Sequence, residues 1–298
     1  GSRRTKKLGA YLALRAARIF PAFFVCNLVT VLIFAPISWL HSYGNLAGYW
    51  PTPTTPLQYV LGNASLWMLA YDVAATPLNV PLPHVWNGSL WSLSLEFLCY
   101  LIIAAVFLVP VALRSGVPML VVWLGSVASR GAYVHWGAEL GLGHEVDSAT
   151  KFVPYFLAGS VLQVYRRKAG LDWKAALAGA AVFVAAVWVN PSWGGQLASP
   201  ILAYVLLWVG SALPSPALIQ QNDVSYGMYI YAFQAQQIFA VFGVWKWGYW
   251  PFAAVALALT TALAVPSWLL VARPVMEWVR RRLPTSPPSL RPSQGVAQ

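Results

Sequence analysis

Charge is what this chain is short of. Charged residues make up 9% of its 298 positions, against about 25% in an ordinary soluble domain. A body so poor in charge cannot dress itself in a water-compatible surface, which excludes a soluble globular fold of usual composition. Cysteine is nearly absent as well: Cys26 and Cys99 both fall inside apolar stretches, which excludes a disulfide framework and a thiolate metal site. Nowhere do His, Cys, Asp and Glu stand at metal-ligand spacing. The first apolar run is too long for a secretory leader and lacks a small-residue cleavage site, which argues against a removable signal peptide. No internal repeat and no soluble second domain is legible.

What fills the chain is apolar sequence, 59% of all residues. A hydrocarbon core about 30 Å thick needs roughly 20 helical residues per crossing. Length and lack of charge give eight candidate spans: 19–40, 88–113, 117–135, 150–165, 173–190, 196–213, 223–244 and 251–272. The expected fold is therefore all-α, a polytopic transmembrane helix bundle of about eight spans. Residues 57–72 are also apolar, but a crossing there would move the later basic loops to the far side, so this stretch reads as a re-entrant or interfacial helix. The membrane body then covers 1–283, and the Pro- and Ser-rich stretch 284–298, unable to bury a core, reads as a disordered tail.

Basic residues in short loops stay on the cytoplasmic side during insertion. With the N-terminus inside, Arg3, Arg4, Lys6, Lys7, Arg15 and Arg18 precede the first span, Arg114 follows the second, and Arg166, Arg167, Lys168 and Lys174 lie between the fourth and fifth. Arg273, Arg280, Arg281, Arg282 and Arg291 follow the eighth. Only Arg130, Lys151 and Lys246 fall elsewhere, while Glu139, Glu145 and Asp147 share an outer loop. Both termini are thus expected in the cytoplasm, as in a multi-pass protein of a bacterial inner membrane. The net charge of +11 sits in juxtamembrane clusters, so its partner is anionic lipid rather than nucleic acid. Trp39, Trp50, Trp86, Trp136, Trp193, Trp245 and Trp250 lie near expected outer ends, where indoles anchor a membrane protein.

Ionisable groups inside a span are functional candidates by default. Glu96 lies about 12 Å along its helix from the outer entry and Arg130 about 9 Å from the outer end of the next, so the two either pair or face one polar cavity. Ahead of Glu96 runs Asn87-Gly88-Ser89-Leu90-Trp91-Ser92-Leu93-Ser94-Leu95-Glu96. Ser92 and Glu96, four apart, share a helix face, and a hydroxyl beside a carboxylate can orient or relay the proton of a substrate hydroxyl. Asn87 and Ser89 are also candidate helix caps. At the inner mouth of the first span, Arg15 and Arg18 offer guanidinium forks suited to phosphates, although topology alone also calls for Arg there. Span seven carries Tyr226, Tyr229, Tyr231, Gln234, Gln236 and Gln237, readable as helix glue or as substrate contacts.

Four of these motifs, in this order, resemble the acyltransferase 3 family: Arg15-x-x-Arg18-Ile19-Phe20-Pro21, the run from Asn87 to Glu96, Ser225-Tyr226-Gly227-Met228-Tyr229-Ile230-Tyr231, and Arg273-Pro274. The resemblance covers about residues 1–275 and implies a membrane O-acyltransferase of surface polysaccharides, lipopolysaccharide and related glycans. No bound cofactor is implied: acetyl-CoA or another acyl-CoA is the donor substrate, and the acceptor is a hydroxyl of a carbohydrate or glycolipid. Arg15 and Arg18 would serve the donor, Ser92 and Glu96 the catalytic centre, with Asn87, Arg130 and Tyr226 as substrate or structural polar groups. The sugar hydroxyl would attack the thioester directly, with acylation of Ser92 as the alternative. The sequence departs from the pattern in three places. Ala272 stands where many relatives have Glu, and Ala232 where many have His. Relatives usually begin with two further spans carrying a His regarded as the base, so the 298 residues alone are expected to be inactive or nearly so. Of the histidines present, His84 lies nearest the Asn87 to Glu96 run and is the candidate substitute. The rival class is a multi-span transporter of a small solute or lipid, which would show flux without acyl consumption.

Overall fold

A computed structural model describes residues 2–113, 115–165, 170–214 and 222–283. Arg114, the Arg166 to Lys168 cluster and the 284–298 tail lie outside the described residues, so the expectations resting on them are left where the sequence puts them. The described residues form helices and turns without a β-strand. In order they are α1 (Ser2–Val29), α2 (Ala35–Tyr43), α3 (Pro56–Gly62), α4 (Ser92–Leu108), α5 (Val117–Trp136) and α6 (His144–Tyr165). After these come α7 (Trp173–Val189), α8 (Gly194–Leu197), α9 (Ser199–Ala212), α10 (Ser225–Val241), α11 (Tyr249–Pro266) and α12 (Arg273–Arg282). Two of the joins are π-helical rather than broken, Thr30–Phe34 between α1 and α2 and Ser267–Ala272 between α11 and α12.

Three helices are long and apolar enough to cross a membrane: Leu8–Tyr43 with 36 residues, Val117–Trp136 with 20 and Tyr249–Arg282 with 34. The other expected crossings are either shorter, as in Ser92–Leu108, Trp173–Val189 and Ser199–Ala212, or, as in α6, carry Glu145, Asp147 and Lys151 on their first turns. The count of eight is therefore not established by helix length. Residues 57–72 supply one short helix and then turns, so only half of the expected interfacial helix forms. The second expected span starts late, because 88–91 is a turn and α4 opens at Ser92.

Burial is inverted relative to a soluble protein. Asn27, Thr30, Asn87 and Gln234 are wholly buried, while Trp188 is 83% exposed and Leu270 75% exposed. Lipid accepts such an exterior, and inside it Gln234 bonds to Thr30 and Asn87 to the Ile230 carbonyl, tying distant segments together. The Trp residues divide accordingly. Trp50, Trp136, Trp245 and Trp250 are exposed as anchors should be, but Trp39 and Trp86 are buried, because Trp86 stacks on Phe34 and donates its Nε1 proton to Thr76.

Helix α4 is the wall shared by two bundles of packed side chains. Leu93 and Tyr100 join Ile19, Phe23 and Cys26 of α1 and Ile230 of α10 in one core. Cys99, Ile103 and Val106 join Trp123 of α5 and Leu157 of α6 in the other. Two glycines set the spacing. A Cβ on Gly227 would sit 2.9 Å from Ala264 Cβ, so α10 and α11 touch backbone to backbone, and one on Gly88 would sit 2.9 Å from the Phe233 ring.

Candidate functional site

Helix α1 supplies the basic end of the site. Its middle carries Arg15 and Arg18, which the sequence treats alike and the structure separates. Arg18 pairs with Asp223 at 2.7 Å. Arg15 makes no ion pair among the described residues. Its guanidinium instead lies over the rings of Tyr100, at 4.7 Å, and Tyr11, at 5.3 Å. Cation–π contact holds such a group in place while leaving its N–H fork free for an anion. Arg15 lines a cavity of about 430 Å³ with Tyr11, Tyr100, Phe107, Phe156, Ser160 and Gln163 among its neighbours.

Glu96 is next along α4. The Tyr100 hydroxyl donates to Glu96 Oε1 at 2.5 Å, an i, i+4 contact on one helix face. Arg15, Tyr100 and Glu96 therefore form a continuous chain of contacts, from the cavity to the carboxylate. Sequence reasoning passed over Tyr100, although its spacing from Glu96 was a local signal that could have been read.

One turn closer to the start of α4, Ser92 meets Tyr229 of α10. Both hydroxyls also reach the Ser89 carbonyl, so either one can donate to the other while its partner's proton goes to that carbonyl. Among the described residues no basic group touches Ser92. That favours a positioning part over attack by an unactivated hydroxyl. The sequence offers Tyr229 only as one of span seven's polar groups, helix glue or substrate contact, because no local spacing joins it to Ser92.

Asn87 and Ser89 do not cap α4, whose first turn has no side-chain cap. Asn87 reaches across to donate to the Ile230 carbonyl at 2.9 Å and accepts from Ser89 at 3.0 Å. Its amide pins the turn before α4 against α10. Tyr226 donates to the Ile19 carbonyl of α1 at 3.0 Å, two residues before Pro21. Both bonds tie α10 to another segment. The same is true of Gln234, which donates to Thr30, and Gln237, which donates to the carbonyls of Leu82 and Val85.

The expected alternative in which Glu96 pairs with Arg130 does not hold. Arg130 is buried and donates to Asp147 at 2.8 Å and to the Ser192 carbonyl at 3.0 Å. Asp147 also accepts from Lys151 at 2.6 Å. Those bonds, Lys151's first and Arg130's after it, hold the Asp147 carboxyl below its ordinary range although burial pushes the other way. Matching depth alone suggested Glu96, but Arg130 turns toward α6, where a carboxylate stands at the helix start. Arg130 is thus a clamp joining α5, α6 and the α7–α8 turn.

A second cavity, about 120 Å³, opens at the other end of α4, between residues 67–71, Trp91 to Leu95, and His144 to Ser148. His84 is exposed and lines neither this cavity nor the one at Arg15. Ala272, the departure from the family's Glu, is buried in the core beside Ile19 and Phe23. Among the described residues no group of three potential metal ligands occurs.

The sequence profile of the acyltransferase 3 family, an acyltransferase domain, matches residues 1–269. An O-acetyl transferase of Shigella phage Sf6 is 27% identical over 278 residues, which is 88% of this chain and 76% of that protein. Nodulation protein 10 of Rhizobium leguminosarum bv. viciae is 35% identical over 77 residues, 26% of this chain and 20% of its own length. No solved structure matches.

Proposed function

The chain belongs to the acyltransferase 3 family, and from that membership we propose that it moves an acyl group, acetyl in the first instance, from acyl-CoA to a hydroxyl of a carbohydrate or glycolipid. The observation that carries this reading is the contact chain from Arg15 through Tyr100 to Glu96. It joins a free guanidinium in a cavity, suited to donor phosphates, to a carboxylate suited to a hydroxyl. In the proposed reaction the acceptor oxygen attacks the thioester carbonyl, a C–O bond forms, the C–S bond breaks, and CoA leaves as the thiolate. Glu96 orients the hydroxyl and draws on its proton, while the Tyr100 hydroxyl fixes the carboxylate's other lone pairs. Ser92 and Tyr229 hold the neighbouring turn.

The same reading takes the bundle as eight crossings with both termini cytoplasmic, in a bacterial inner membrane. CoA then enters at the Arg15 end and the acceptor at the start of α4. The basic loops support that orientation. A transporter gains little support here, because the amide N–H groups of Gln234 and Gln237 in α10 are taken up by Thr30 and by the Leu82 and Val85 carbonyls.

The test incubates membranes containing the chain with acetyl-CoA labelled in the acetyl group, with and without glycans. Donor retention and label on the glycan are read separately. Arg15→Ala is expected to weaken donor retention about tenfold, in keeping with loss of a charge-assisted bond to phosphate. Glu96→Gln is expected to leave retention intact and to remove transfer. Retention is readable even where turnover is slow. Unchanged donor retention in Arg15→Ala, or solute flux without thioester loss, overturns the reading.

A further inference from the structure

The cavity at the start of α4 is built for something other than the donor. Its walls come from three separate parts of the chain: Trp67 and Tyr71 from the connection before α4, Trp91 and Ser94 from α4 itself, and His144 and Glu145 from the start of α6. Trp67 and Tyr71 are partly exposed, at 44% and 38%. Their placement is not slack. Asn63, wholly buried, accepts from the backbone N–H groups of Leu69 and Ala70 at 2.9 and 3.0 Å and donates to the Ala70 carbonyl at 2.8 Å. The Trp86 N–H then binds the Tyr71 carbonyl at 2.7 Å. An amide fully spent on shaping one loop keeps the two rings where they stand. Across the cavity, Trp91 is braced edge to face by Phe152, with centroids 5.3 Å apart.

Between the rings are groups that hydrogen-bond hydroxyls. Glu145 is exposed and makes no ion pair among the described residues, so its carboxylate can accept from two adjacent hydroxyls. Ser94 gives its proton to the Trp91 carbonyl and keeps its lone pairs. Flat apolar faces bounded by a few acceptors and donors suit a pyranose, which has C–H groups on its faces and hydroxyls at its edge. At about 120 Å³ the space is below the roughly 300 Å³ of a drug-sized site, a fit for one ring.

Helical geometry places this ring relative to the chemistry. At about 100° per residue, Trp91, Ser94 and Leu95 share one face of α4, while Ser92 and Glu96 lie on the face next to it. A sugar seated among the aromatic rings is beside Glu96 and not on it. We propose that this cavity is a glycan subsite, which holds the sugar neighbouring the one whose hydroxyl is acylated. The inference rests on the proposed carbohydrate acceptor. It adds that the acceptor is recognised as an oligosaccharide of at least two residues.

The test is saturation-transfer NMR on the chain in lipid nanodiscs. The probes are methyl pyranosides and their matching di- and trisaccharides, and acetyl-CoA is run in parallel. Oligosaccharides are expected to bind at least fivefold more tightly than their monosaccharides. Trp67→Ala and Glu145→Gln, both exposed positions that the core does not depend on, are expected to weaken oligosaccharide binding fivefold or more. Arg15→Ala is expected to leave it unchanged. Equal binding by wild type, Trp67→Ala and Glu145→Gln overturns the subsite, and so does acetyl-CoA binding with no saccharide bound. The second result spares the acyl-transfer reading. Saccharide binding that depends on Trp67 without acetyl-CoA binding supports the subsite and removes the acyl-transfer reading instead.

Discussion

Arg130→Met separates a structural clamp from a substrate contact. The substitution keeps the apolar stem and removes two hydrogen bonds of the guanidinium, one to Asp147 and one to the Ser192 carbonyl. Its side chain is 8% exposed and that of Asp147 17%, so water replaces little of what is lost. A hydrogen bond to a charged group contributes about 1.5–3 kcal/mol, and breaking a buried ion pair by removing one partner costs about 3–5 kcal/mol. Asp147 keeps Lys151 at 2.6 Å, which softens the loss to about 2–4 kcal/mol. At roughly 2–4 °C per kcal/mol, Tm falls by about 4–16 °C. Intrinsic-fluorescence melting in a mild detergent reads this directly. The double variant Arg130→Met with Asp147→Asn should be less destabilised than the sum of the two singles, because it leaves no carboxylate short of its partner. An Arg130→Met protein that melts with wild type yet loses donor or acceptor binding refutes the clamp and returns Arg130 to the site.

Three further outcomes follow from the same contacts. Because Lys151 and Arg130 hold the Asp147 carboxyl below its ordinary range, its stabilising contribution is present in full above the unfolded value of about 3.9. It fades as pH falls through the lower folded value; melting curves from pH 7 down to about 3 should show a late acid loss of Tm that Asp147→Asn lacks. Gly227→Val places a side chain where even a Cβ comes within 2.9 Å of Ala264, an overpacking penalty of about 1–3 kcal/mol or more, seen as a lower Tm or poor recovery from membranes. Tyr100→Phe keeps the ring under Arg15 and removes the bond to Glu96, so donor retention should persist, whereas Tyr100→Ala should lower it several-fold through loss of a cation–π contact of about 0.5–2 kcal/mol. Equal retention in the two variants would show that the ring does not hold Arg15.

Much of the site was legible wherever its parts are neighbours in sequence. Ser92, Glu96 and Tyr100 recur every fourth position, and a helix must stack them on one side. Arg15 and Arg18 announce a basic helix end by composition. The residues that escaped are those whose partner lies on another helix. Tyr229 meets Ser92 from 137 positions away, and Asp223, just ahead of α10, takes Arg18, leaving Arg15 without an ion pair in its cavity. Depth along a helix axis brought Glu96 and Arg130 level with each other, but rotation about the axis decides contact. No pattern in either segment states how one helix is turned toward the next.

By itself the amino-acid order determined an all-helical, lipid-compatible body, its family and the face of α4 that carries Ser92 and Glu96. These follow from hydrophobic length and the 3.6-residue repeat, which are local properties of the chain. Only the tertiary structure decided that Arg130 clamps Asp147, that Asn87 ties a turn instead of capping a helix, and that three distant segments enclose an aromatic cavity beside Glu96. Those outcomes depend on how closely helices approach, set by small residues such as Gly88 and Gly227, and on which buried polar groups must then find partners in the absence of water.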